Sequence, residues 1–495
     1  MLKIIIYIIL LISSLLFYNN CHAQVSPKRG VAYGKHSDAD LNVLKPGISW
    51  WYNWSAIPEA TINASYESLG VEFVPMAWGK IDNPDVFIAT IKPGAKYLLA
   101  FNEPNFNDGA KLTPQEAVNA WPNIEKIAAA KGLEIVSASP AYNGPSNYGG
   151  YSSPIAWHDE FFRLCPNCKV DYIAFHTYDD TSGSVIGVTE GLKKYNIPIW
   201  VTEFANRVVQ SATDKTNFMK NIVTAFENDP DIYRYSWFTC RVPANWTDML
   251  EGQLLGASSG TIRPIGTAYV NVPYTTKKMN VPGRITANKH YRRKGTGLQN
   301  TTDGDTTQNV CFADNGDWGE YMINVAKNGS YQMTFRVASL NKGVFDISVN
   351  GLIVKTDETF DATGGMQIYT DKVVTGINLP QGENYIKINY KSNFNFNYID
   401  AVDESTLGIS DIISEDNAVV FYPNPFTSET KIQIKSPITE SIQIKIVDMK
   451  GVVCFSNNDF YTNQNITIDN HLASGIYTVI VTYGTTKKTF KVIKN

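Results

Sequence analysis

The chain has 495 residues, with 43 Lys and Arg against 47 Asp and Glu, which gives a net charge of −4. This near balance argues against nucleic acid or an anionic membrane as the main partner, because those partners require a concentrated basic surface. Hydrophobic residues make up 43% and charged residues 18%, which excludes disorder over most of the length. The length predicts about three domains at roughly 150 residues each, and we expect a monomer.

Residues 1–23 are predicted to be a signal peptide. Lys3 supplies a positive start, residues 4–17 form an apolar run too short to cross a bilayer, and Cys21-His22-Ala23 offers a cleavage site. The rest of the sequence contains no run of 18 apolar residues. We therefore expect an exported protein with no stable membrane span.

Residues 24–273 are predicted to form a (β/α)8 TIM barrel with some outer helices reduced. Eight short apolar segments occur in about 245 residues, the size of one barrel, and most of them are continuous runs typical of strands buried on both faces of a parallel sheet. Helical patterns lie between them, one of which begins at a capping box over Thr113-Pro114-Gln115-Glu116. An open doubly wound sheet is the alternative, although no glycine-rich dinucleotide loop follows the first segment. The segments are Gly30–Tyr33, Ile48–Trp54, Glu72–Trp78, Tyr97–Asn102, Glu134–Ala138, Asp171–Tyr178, Pro198–Phe204 and Tyr233–Thr239.

The remainder of the chain is predicted to be two all-β domains. Residues 281–403 contain short alternating segments separated by turn signals such as Asn315-Gly316 and Asn350-Gly351, which indicate a β-sandwich. An acidic stretch rich in small residues follows. Residues 412–495 again alternate and indicate a small Ig-like sandwich.

Two glutamates are the strongest candidates for catalysis. Glu103 follows the fourth apolar segment and Glu203 lies at the end of the seventh. Because barrel active sites lie at the carboxyl ends of the strands, both side chains are predicted to face one mouth. Two carboxyl groups that flank one bond are what glycosidic cleavage requires. The alternative for a single glutamate is a solvated surface carboxylate, which suits the glutamates on the helical patterns.

Other side chains at strand ends are candidates for binding a substrate. Trp54, Trp78 and Trp237 end the second, third and eighth segments and are predicted to stack against sugar rings. His176 and Tyr178 end the sixth segment and are two residues apart, so both can face the mouth and orient the substrate or the seventh-strand glutamate. Ordinary core packing is the alternative for each of them. The six histidines form no HExxH motif or other cluster, so we expect neither a catalytic metal nor a cofactor.

Five cysteines remain after removal of the signal peptide. The sequence Cys165-Pro166-Asn167-Cys168 is a redox or zinc motif in some cytosolic proteins. In an exported chain with no second CxxC, a disulfide between Cys165 and Cys168 is the expected outcome.

Several of these motifs together resemble a known enzyme family. Residues 29–270 resemble glycoside hydrolase family 128 of clan A, whose members cleave β-1,3-glucans. The resemblance implies a retaining endo-β-1,3-glucanase that acts on laminarin- or curdlan-type glucan by double displacement. It also implies that Glu103 is the general acid/base, that Glu203 is the nucleophile and that Asn102 binds the sugar 2-hydroxyl. Another clan A glycosidase with β-1,4 or mixed specificity and a non-catalytic surface glycan-binding protein remain alternatives. The motifs are Trp51-Tyr52-Asn53-Trp54, Leu99–Asn105, Cys165–Cys168, Asp171–Tyr178 and Trp200–Ala205.

Residues 282–403 resemble a family 6 carbohydrate-binding module. In that family two loop aromatics enclose a sugar and an asparagine binds it, and Phe312 and Asn395 occupy two of those places. The third place, usually tryptophan, holds Met366. The Glu-Ala-Glu that the family ties to a structural calcium reads Thr286-Ala287-Asn288 in this chain. The motifs are Pro282–Ile285, Asp314–Tyr321, Thr363–Gln367 and Phe394–Tyr398.

Residues 412–495 resemble the C-terminal sorting domain of type IX secretion cargo. The resemblance implies export through the periplasm and outer membrane by the type IX secretion machinery, to a secreted or cell-surface-attached form. A plain Ig-like spacer is the alternative. The motifs are Tyr422–Phe426, Leu472–Tyr477 and Lys491–Asn495.

Overall fold

The structure is a computed structural model that describes residues 25–142, 147–274, 277–304, 306–407, 419–422, 424–434, 439–468, 472–484 and 486–494. The predicted signal peptide lies outside the described residues, as do Pro423 and Asn495 of the predicted sorting motifs. None of the helices in these ranges is both long enough and apolar enough to cross a membrane.

Short parallel strands close into a ring in the first part of the chain. A continuous ladder runs in the order β3-β2-β1-β9-β8-β7-β6, and β4 pairs with β5. Parallel bridges between Met76 and Leu99 and between Val136 and Tyr172 join these two groups. The ring has eight positions because β6 continues the line of β5 and pairs with the carboxyl end of β7. The strands are β1 (Arg29–Ala32), β2 (Trp50–Tyr52), β3 (Glu72–Phe73), β4 (Tyr97–Leu99), β5 (Glu134–Val136), β6 (Ala141–Tyr142), β7 (Ile173–Thr177), β8 (Ile199–Phe204) and β9 (Ile232–Trp237).

The outer helices are uneven in length, in agreement with the prediction that some of them are reduced. The first three have 7, 4 and 7 residues, whereas α4 has 18. Thr113 caps α4 reciprocally with Glu116, and Gly132 ends it in the left-handed conformation at φ 66°. Two 3-10 turns, Lys193–Tyr195 and Leu250–Gly252, complete this part of the chain. The helices are α1 (Asp38–Leu44), α2 (Tyr66–Leu69), α3 (Pro84–Thr90), α4 (Pro114–Lys131), α5 (Pro154–Leu164), α6 (Ser182–Leu192), α7 (Ala212–Asn228) and α8 (Pro264–Val270).

Alternate residues of each strand separate an inner core from an outer one. Trp50 faces inward, where its ring lies 6.2 Å from that of Tyr52 and 5.0 Å from that of Trp200. Its neighbour Trp51 faces outward and packs against Tyr66 of α2. Because successive side chains of a strand point to opposite faces, Tyr52 also points inward, toward the mouth.

His158 on α5 is a buried base between the helix layer and the strands. It is fully buried, its Nε2 donates to the carbonyl of Ala174 at 2.9 Å, and its Nδ1 has no partner among the described residues. Burial lowers the pKa of His158 from 6.5 to about 4. Between these values the unfolded chain binds more protons than the folded one. His158 therefore contributes stability that is complete above pH 6.5 and is lost as the pH falls toward 4, a loss of about 3 kcal/mol.

We expect His158→Gln, which keeps an amide donor but does not titrate, to lose less stability on acidification than the natural chain. The measurement is the free energy of unfolding by denaturant at pH 7 and pH 4.5 for both proteins. The comparison removes the contribution of all other titrating groups. Equal losses in the two proteins would contradict the assignment of this pH dependence to His158.

Two β-sandwich domains follow the barrel, which confirms the predicted fold class. In the first, one sheet has the order β10-β15-β20-β17-β18 with β12 on β15, and the other has the order β13-β14-β21-β16-β19 with β11 on β21. Apolar side chains of both sheets form its core. The strands are β10 (Met279–Val281), β11 (Gly283–Thr286), β12 (Arg292–Lys294), β13 (Gly297–Asn300), β14 (Gln308–Cys311), β15 (Trp318–Val325), β16 (Gly329–Ala338), β17 (Gly343–Val349), β18 (Leu352–Phe360), β19 (Thr370–Leu379), β20 (Gly382–Tyr390) and β21 (Asn395–Asp403).

The last domain is the smaller sandwich. After the short helix α9 (Glu404–Leu407), strands pair in the orders β22-β23-β26 and β25-β24-β27-β28 around a core rich in isoleucine and valine. The strands are β22 (Val419–Tyr422), β23 (Thr430–Ile434), β24 (Ser441–Asp448), β25 (Val453–Tyr461), β26 (Asn465–Ile468), β27 (Gly475–Tyr483) and β28 (Thr486–Lys494).

Candidate active site

The loop after β4 turns sharply to direct Glu103 into the mouth of the barrel. Glu103 has a φ of 42°, a left-handed conformation that is uncommon for a residue with a side chain and that recurs at functional sites. Its amide donates to the carbonyl of Ser139 at 3.1 Å, and its own carbonyl accepts from Phe106 at 3.0 Å. Gly109 folds back on this turn, and a Cβ on Gly109 would lie 2.1 Å from the Glu103 carbonyl oxygen. Only glycine fits there.

Asn105 holds the same loop to the next strand. Its side chain is fully buried, donates to the carbonyls of Ala141 and Tyr151 at 2.8 and 3.1 Å, and accepts from the amide of Ala141 at 2.9 Å. These bonds tie the turn that carries Glu103 to β6. The general acid/base candidate is therefore held from both sides of its loop.

Glu203 lies in β8, and its side chain is only 3% exposed. Three neutral donors bind its carboxylate. The hydroxyl of Tyr52 and the indole Nε1 of Trp54 each donate to Oε1 at 2.8 Å, and the hydroxyl of Tyr178 donates to Oε2. A buried carboxylate needs such partners, and these three fix the orientation of its oxygens.

His176 on β7 lies between the two glutamates. Its Nδ1 is 2.9 Å from Glu103 Oε1, and its Nε2 is 3.6 Å from Glu203 Oε1. One oxygen of each carboxylate and one nitrogen of His176 all lie within 4.8 Å of one another. Within the described residues no other group of three histidine, cysteine or acidic side chains comes together in this way.

The charges of the three groups depend on one another. Burial alone would lower the pKa of His176, but the charges of Glu203 and Glu103 and the hydrogen bond to Glu103 outweigh that effect and raise it. Burial raises the pKa of Glu203, the positive His176 opposes the rise, and the charge of Glu103 adds to it. The carboxyl groups therefore favour the imidazolium form of His176, and that positive charge in turn opposes the rise in the pKa of Glu203.

The other residues predicted to line the mouth differ in their exposure and contacts. Trp78 is 40% exposed, as a sugar-stacking residue requires, and its carbonyl accepts from the amide of Asn102. Asn102 is 7% exposed, and its Oδ1 is buried with no hydrogen-bond partner in the part of the chain that the structure describes. Trp54 and Tyr178 lie against Glu203, and the ring of Trp54 also contacts Phe238.

The prediction that Trp237 stacks against substrate is wrong. Trp237 is fully buried, and its Nε1 donates to the carbonyl of Gly252 at 2.8 Å. Its ring packs against Phe204 and Tyr269 in the outer core. The residue ends its strand, but it shares the outward face of β9 with Tyr235.

Sequence reasoning missed Tyr52, Asn105 and Gly109. A signal for Tyr52 was available, because Trp50, Tyr52 and Trp54 alternate along one strand and so share its inner face. Nothing comparable marks Gly109, whose need for a missing Cβ depends on the path of the folded loop.

We expect Trp54→Phe to lower kcat by about tenfold to a hundredfold with little change in KM, because it removes one donor from Glu203 and keeps an aromatic ring. Steady-state kinetics on a soluble glucan measure both constants. Trp78→Phe is the matched control, since Trp78 makes no hydrogen bond to either glutamate within the described residues, and its change should act mainly on KM. A Trp54→Phe enzyme altered only in KM would mean that the indole N–H does not support Glu203.

Comparison with known proteins gives three matches along the chain. Residues 30–269 match the glycosyl hydrolase catalytic core, residues 286–403 match the family 6 carbohydrate binding module, and residues 420–495 match the secretion system C-terminal sorting domain.

Two solved structures match the barrel over nearly their whole length. The subgroup II family 128 endo-β-1,3-glucanase from Sorangium cellulosum is 37% identical, with 50% of this chain and 98% of that one covered and a TM-score of 0.47. The corresponding enzyme from Pseudomonas viridiflava is also 37% identical, with 51% and 100% covered and a TM-score of 0.46. Sequence identity of 37% over 98% and 100% of the length of these two enzymes decides the assignment. The chain belongs to glycoside hydrolase family 128.

A curated relative of this family 128 hydrolase is alkali-sensitive linkage protein 1 of Schizosaccharomyces pombe (strain 972 / ATCC 24843). The two are 26% identical over 261 residues, which are 50% of this chain and 45% of the relative. The chain thus spans about half the length of that protein.

The hydrolase carries one disulfide among its described residues. Cys165 and Cys168 are bonded at the end of α5, directly before β7. Cys240 and Cys311 are free and buried, and Cys454 is free and exposed.

The module of the hydrolase presents one of its two predicted sugar-binding residues. Phe312 is 68% exposed, with a φ of 56°. Asn395 is 1% exposed, and its Nδ2 donates to the carbonyl of Met366. The Oδ1 of Asn395 is buried, and none of the described residues bonds to it.

The residues at the place of the family's calcium site do not fit that ion. Thr286 and Asn288 replace the two glutamates, and calcium takes six to eight oxygen ligands with carboxylates among them. Asn288 Oδ1 is buried and has no partner within the described ranges, but one amide oxygen does not make such a site.

Proposed function

We propose that this chain is a secreted retaining endo-β-1,3-glucanase that hydrolyses laminarin- or curdlan-type glucan by double displacement. The observation that carries the proposal is the approach of Glu103 and Glu203, each with an oxygen within 4.8 Å of the other and of His176. The endo-β-1,3-glucanases that are 37% identical to this barrel support the choice of linkage.

The separation of the carboxyl groups favours a retaining course. Retaining glycosidases hold their two carboxyl groups about 5–5.5 Å apart, whereas inverting ones need about 6.5–9.5 Å to admit a water. Oxygens within 4.8 Å leave no room for a water between the carboxylates. The attacking group is then Glu203 itself.

In the first step Glu203 attacks the anomeric carbon and forms a glycosyl ester, while the bond to the leaving sugar breaks. Glu103 gives its proton to the leaving oxygen. In the second step water attacks the same carbon, Glu103 takes a proton from that water, and the ester to Glu203 breaks. The sugar leaves with its original anomeric configuration, and both carboxyl groups return to their starting forms.

The surroundings suit these roles. Tyr52, Trp54 and Tyr178 hold Glu203 in one orientation, which keeps the nucleophile aimed at one carbon. The 19% exposed side chain of Glu103 is the more accessible of the two, as a group that meets both leaving group and water must be. Asn102 Oδ1, buried and unpartnered, is free to accept from the 2-hydroxyl. Trp78 offers an exposed ring for a neighbouring sugar.

Product analysis tests the proposal. The full chain is incubated with laminarin, curdlan and cellulose, the products are separated by size, and the anomer first released is read by proton NMR. We expect mixed β-1,3-linked oligosaccharides in the β configuration from the first two substrates and none from cellulose. Release of the α anomer would overturn the retaining course, and cleavage of cellulose would favour β-1,4 or mixed specificity. No cleavage of any of them would favour a non-catalytic glycan-binding protein.

We also propose a division of labour along the chain. Residues 24–273 would hold the catalytic site, residues 281–403 would bind glycan, and residues 412–495 would direct export by the type IX machinery. The match of the last segment to a secretion sorting domain supports the export route. In a host with that machinery, a chain with this segment should reach the cell surface or medium, and one lacking it should stay in the periplasm.

A further inference from the structure

A side chain of the module completes the inner core of the barrel. Trp318, the first residue of β15, belongs to the same buried cluster as the inward-facing Tyr97, Tyr172 and Tyr233. The rings of Tyr233 and Trp318 meet edge to face at 6.0 Å. Trp318 is 8% exposed, so this contact excludes water.

Two arginines of β12 reinforce the contact. The guanidinium of Arg292 lies 4.4 Å from the centre of the Tyr233 ring and makes two hydrogen bonds, of 2.9 and 2.8 Å, to Glu320. Arg293 binds both carboxylate oxygens of Asp231, at 2.7 and 3.0 Å, and its amide donates to the carbonyl of Pro230. The buried charges of Arg292 and Glu320 are stable only while each keeps its partner.

The start of the barrel chain is bound to the same surface. Lys28 is fully buried, and its Nζ donates to the carbonyls of Phe226, Glu227 and Asp229 at the end of α7. The same ammonium lies 4.5 Å from the centre of the ring of Tyr291, whose hydroxyl donates to Glu227 at 3.1 Å. The module thus touches the barrel through aromatic, ionic and hydrogen-bonding contacts together.

These contacts lie at the end of the barrel opposite to the catalytic mouth. Lys28 precedes β1, Asp231 precedes β9 and Tyr97 begins β4, so all three lie at the amino ends of strands. Glu103 follows the carboxyl end of β4, and Glu203 is next to last in β8. The module therefore closes the floor of the barrel.

We propose that the barrel and the module are one folding unit, in which the module is a fixed floor that cannot swing toward the mouth. If the module were removed, the barrel would lose one side chain of its inner core. It would also lose the module's contacts to Tyr233, Asp231 and Glu227. Given the proposed function, any glycan held by the module lies on the far side of the enzyme and is not the segment being cut.

Tryptophan fluorescence gives a direct test on the full chain. Nine of the ten tryptophans lie between Trp50 and Trp246, so the thermal transition of the emission reports the barrel. Arg293→Glu, which places like charges against Asp231, and Trp318→Ala, which leaves a cavity under Tyr233, should each lower that midpoint by about 5 °C or more. Arg163→Glu, which breaks an exposed pair with Glu160 on α5, is the control and should shift it by about a degree at most.

A substitution inside the module, away from the barrel, distinguishes a single folding unit from two domains that only touch. Ile377 of β19 is buried in the core of the module. If the two parts unfold together, Ile377→Ala should lower the barrel midpoint as well. The proposal would be overturned if Ile377→Ala left the thermal midpoint of the barrel unchanged. It would also be overturned if Arg293→Glu and Trp318→Ala shifted that midpoint no more than the control does. None of these readings depends on hydrolysis, so a failure of the proposed function would be seen separately in the product analysis.

Discussion

Glu203→Ala should lower the turnover of a β-1,3-glucan by at least about 10⁴-fold, because no other group can form the glycosyl ester. The substitution leaves a small cavity bordered by the donors Tyr52, Trp54 and Tyr178. Formate or azide should enter that cavity and attack an activated aryl β-glucoside of β-1,3-linked glucose. The product should then have the α configuration, because one displacement replaces two.

The measurements are steady-state kinetics on soluble glucan and NMR of the product formed with azide. Glu190→Ala is the matched control, since Glu190 is an exposed glutamate on α6 paired with Lys193, and it should keep full activity. Thermal unfolding checks that Glu203→Ala is folded. Near-normal turnover by Glu203→Ala, or rescue with a β-azide product, would show that Glu203 is not the nucleophile.

The sequence predicted the barrel and the glutamate pair because chain direction carries the necessary information. Each glutamate comes at the end of a continuous apolar run, and parallel strands bring such ends to one rim. The separation in sequence between Glu103 and Glu203 therefore did not matter. Neither prediction required knowledge of the orientation of any side chain.

The error at Trp237 arose because the sequence does not show which way a side chain of the last strand faces. Every residue of this strand is buried, so its alternation could place Tyr235 and Trp237 on one face but could not tell that this face is the outward one. Trp54 was predicted to stack on sugar, which remains a prediction, and the structure adds that its left-handed backbone at φ 61° brings the indole N–H to Glu203. A tryptophan in that conformation is unusual, and local sequence gives no sign of it.

The contacts between the module and the floor of the barrel could not be predicted from the sequence either. Trp318 begins a strand of the module, yet it packs into the core of another domain. Arg292 and Arg293 look like ordinary charged residues of an exposed strand. Their partners Tyr233 and Asp231 lie about sixty residues earlier in the chain, and such pairing follows only from the docked arrangement of the two domains.

Glu103→Gln should have an effect that depends on the leaving group. On glucan, whose leaving alcohol is a poor one, we expect kcat to fall by about 10³-fold or more, because glutamine cannot give a proton. On a dinitrophenyl β-glycoside the leaving group needs no proton, so the first step should stay fast. The second step still needs a base, so the glycosyl ester on Glu203 should accumulate. A burst of dinitrophenol followed by slow turnover is the expected signature, and mass spectrometry of the quenched protein should find the bound sugar.

Glutamine is the sharpest replacement at this position because its carbonyl oxygen can still accept from His176 Nδ1, which lies 2.9 Å from Glu103 Oε1. The geometry of the site is then kept while the proton is lost. Glu203→Gln is the matched partner, since it should fail with both substrates and give no burst. If Glu103→Gln lost equal activity on glucan and on the dinitrophenyl substrate, proton transfer to the leaving oxygen would not be its role. If instead Glu203→Gln gave the burst, the two glutamates would have exchanged functions.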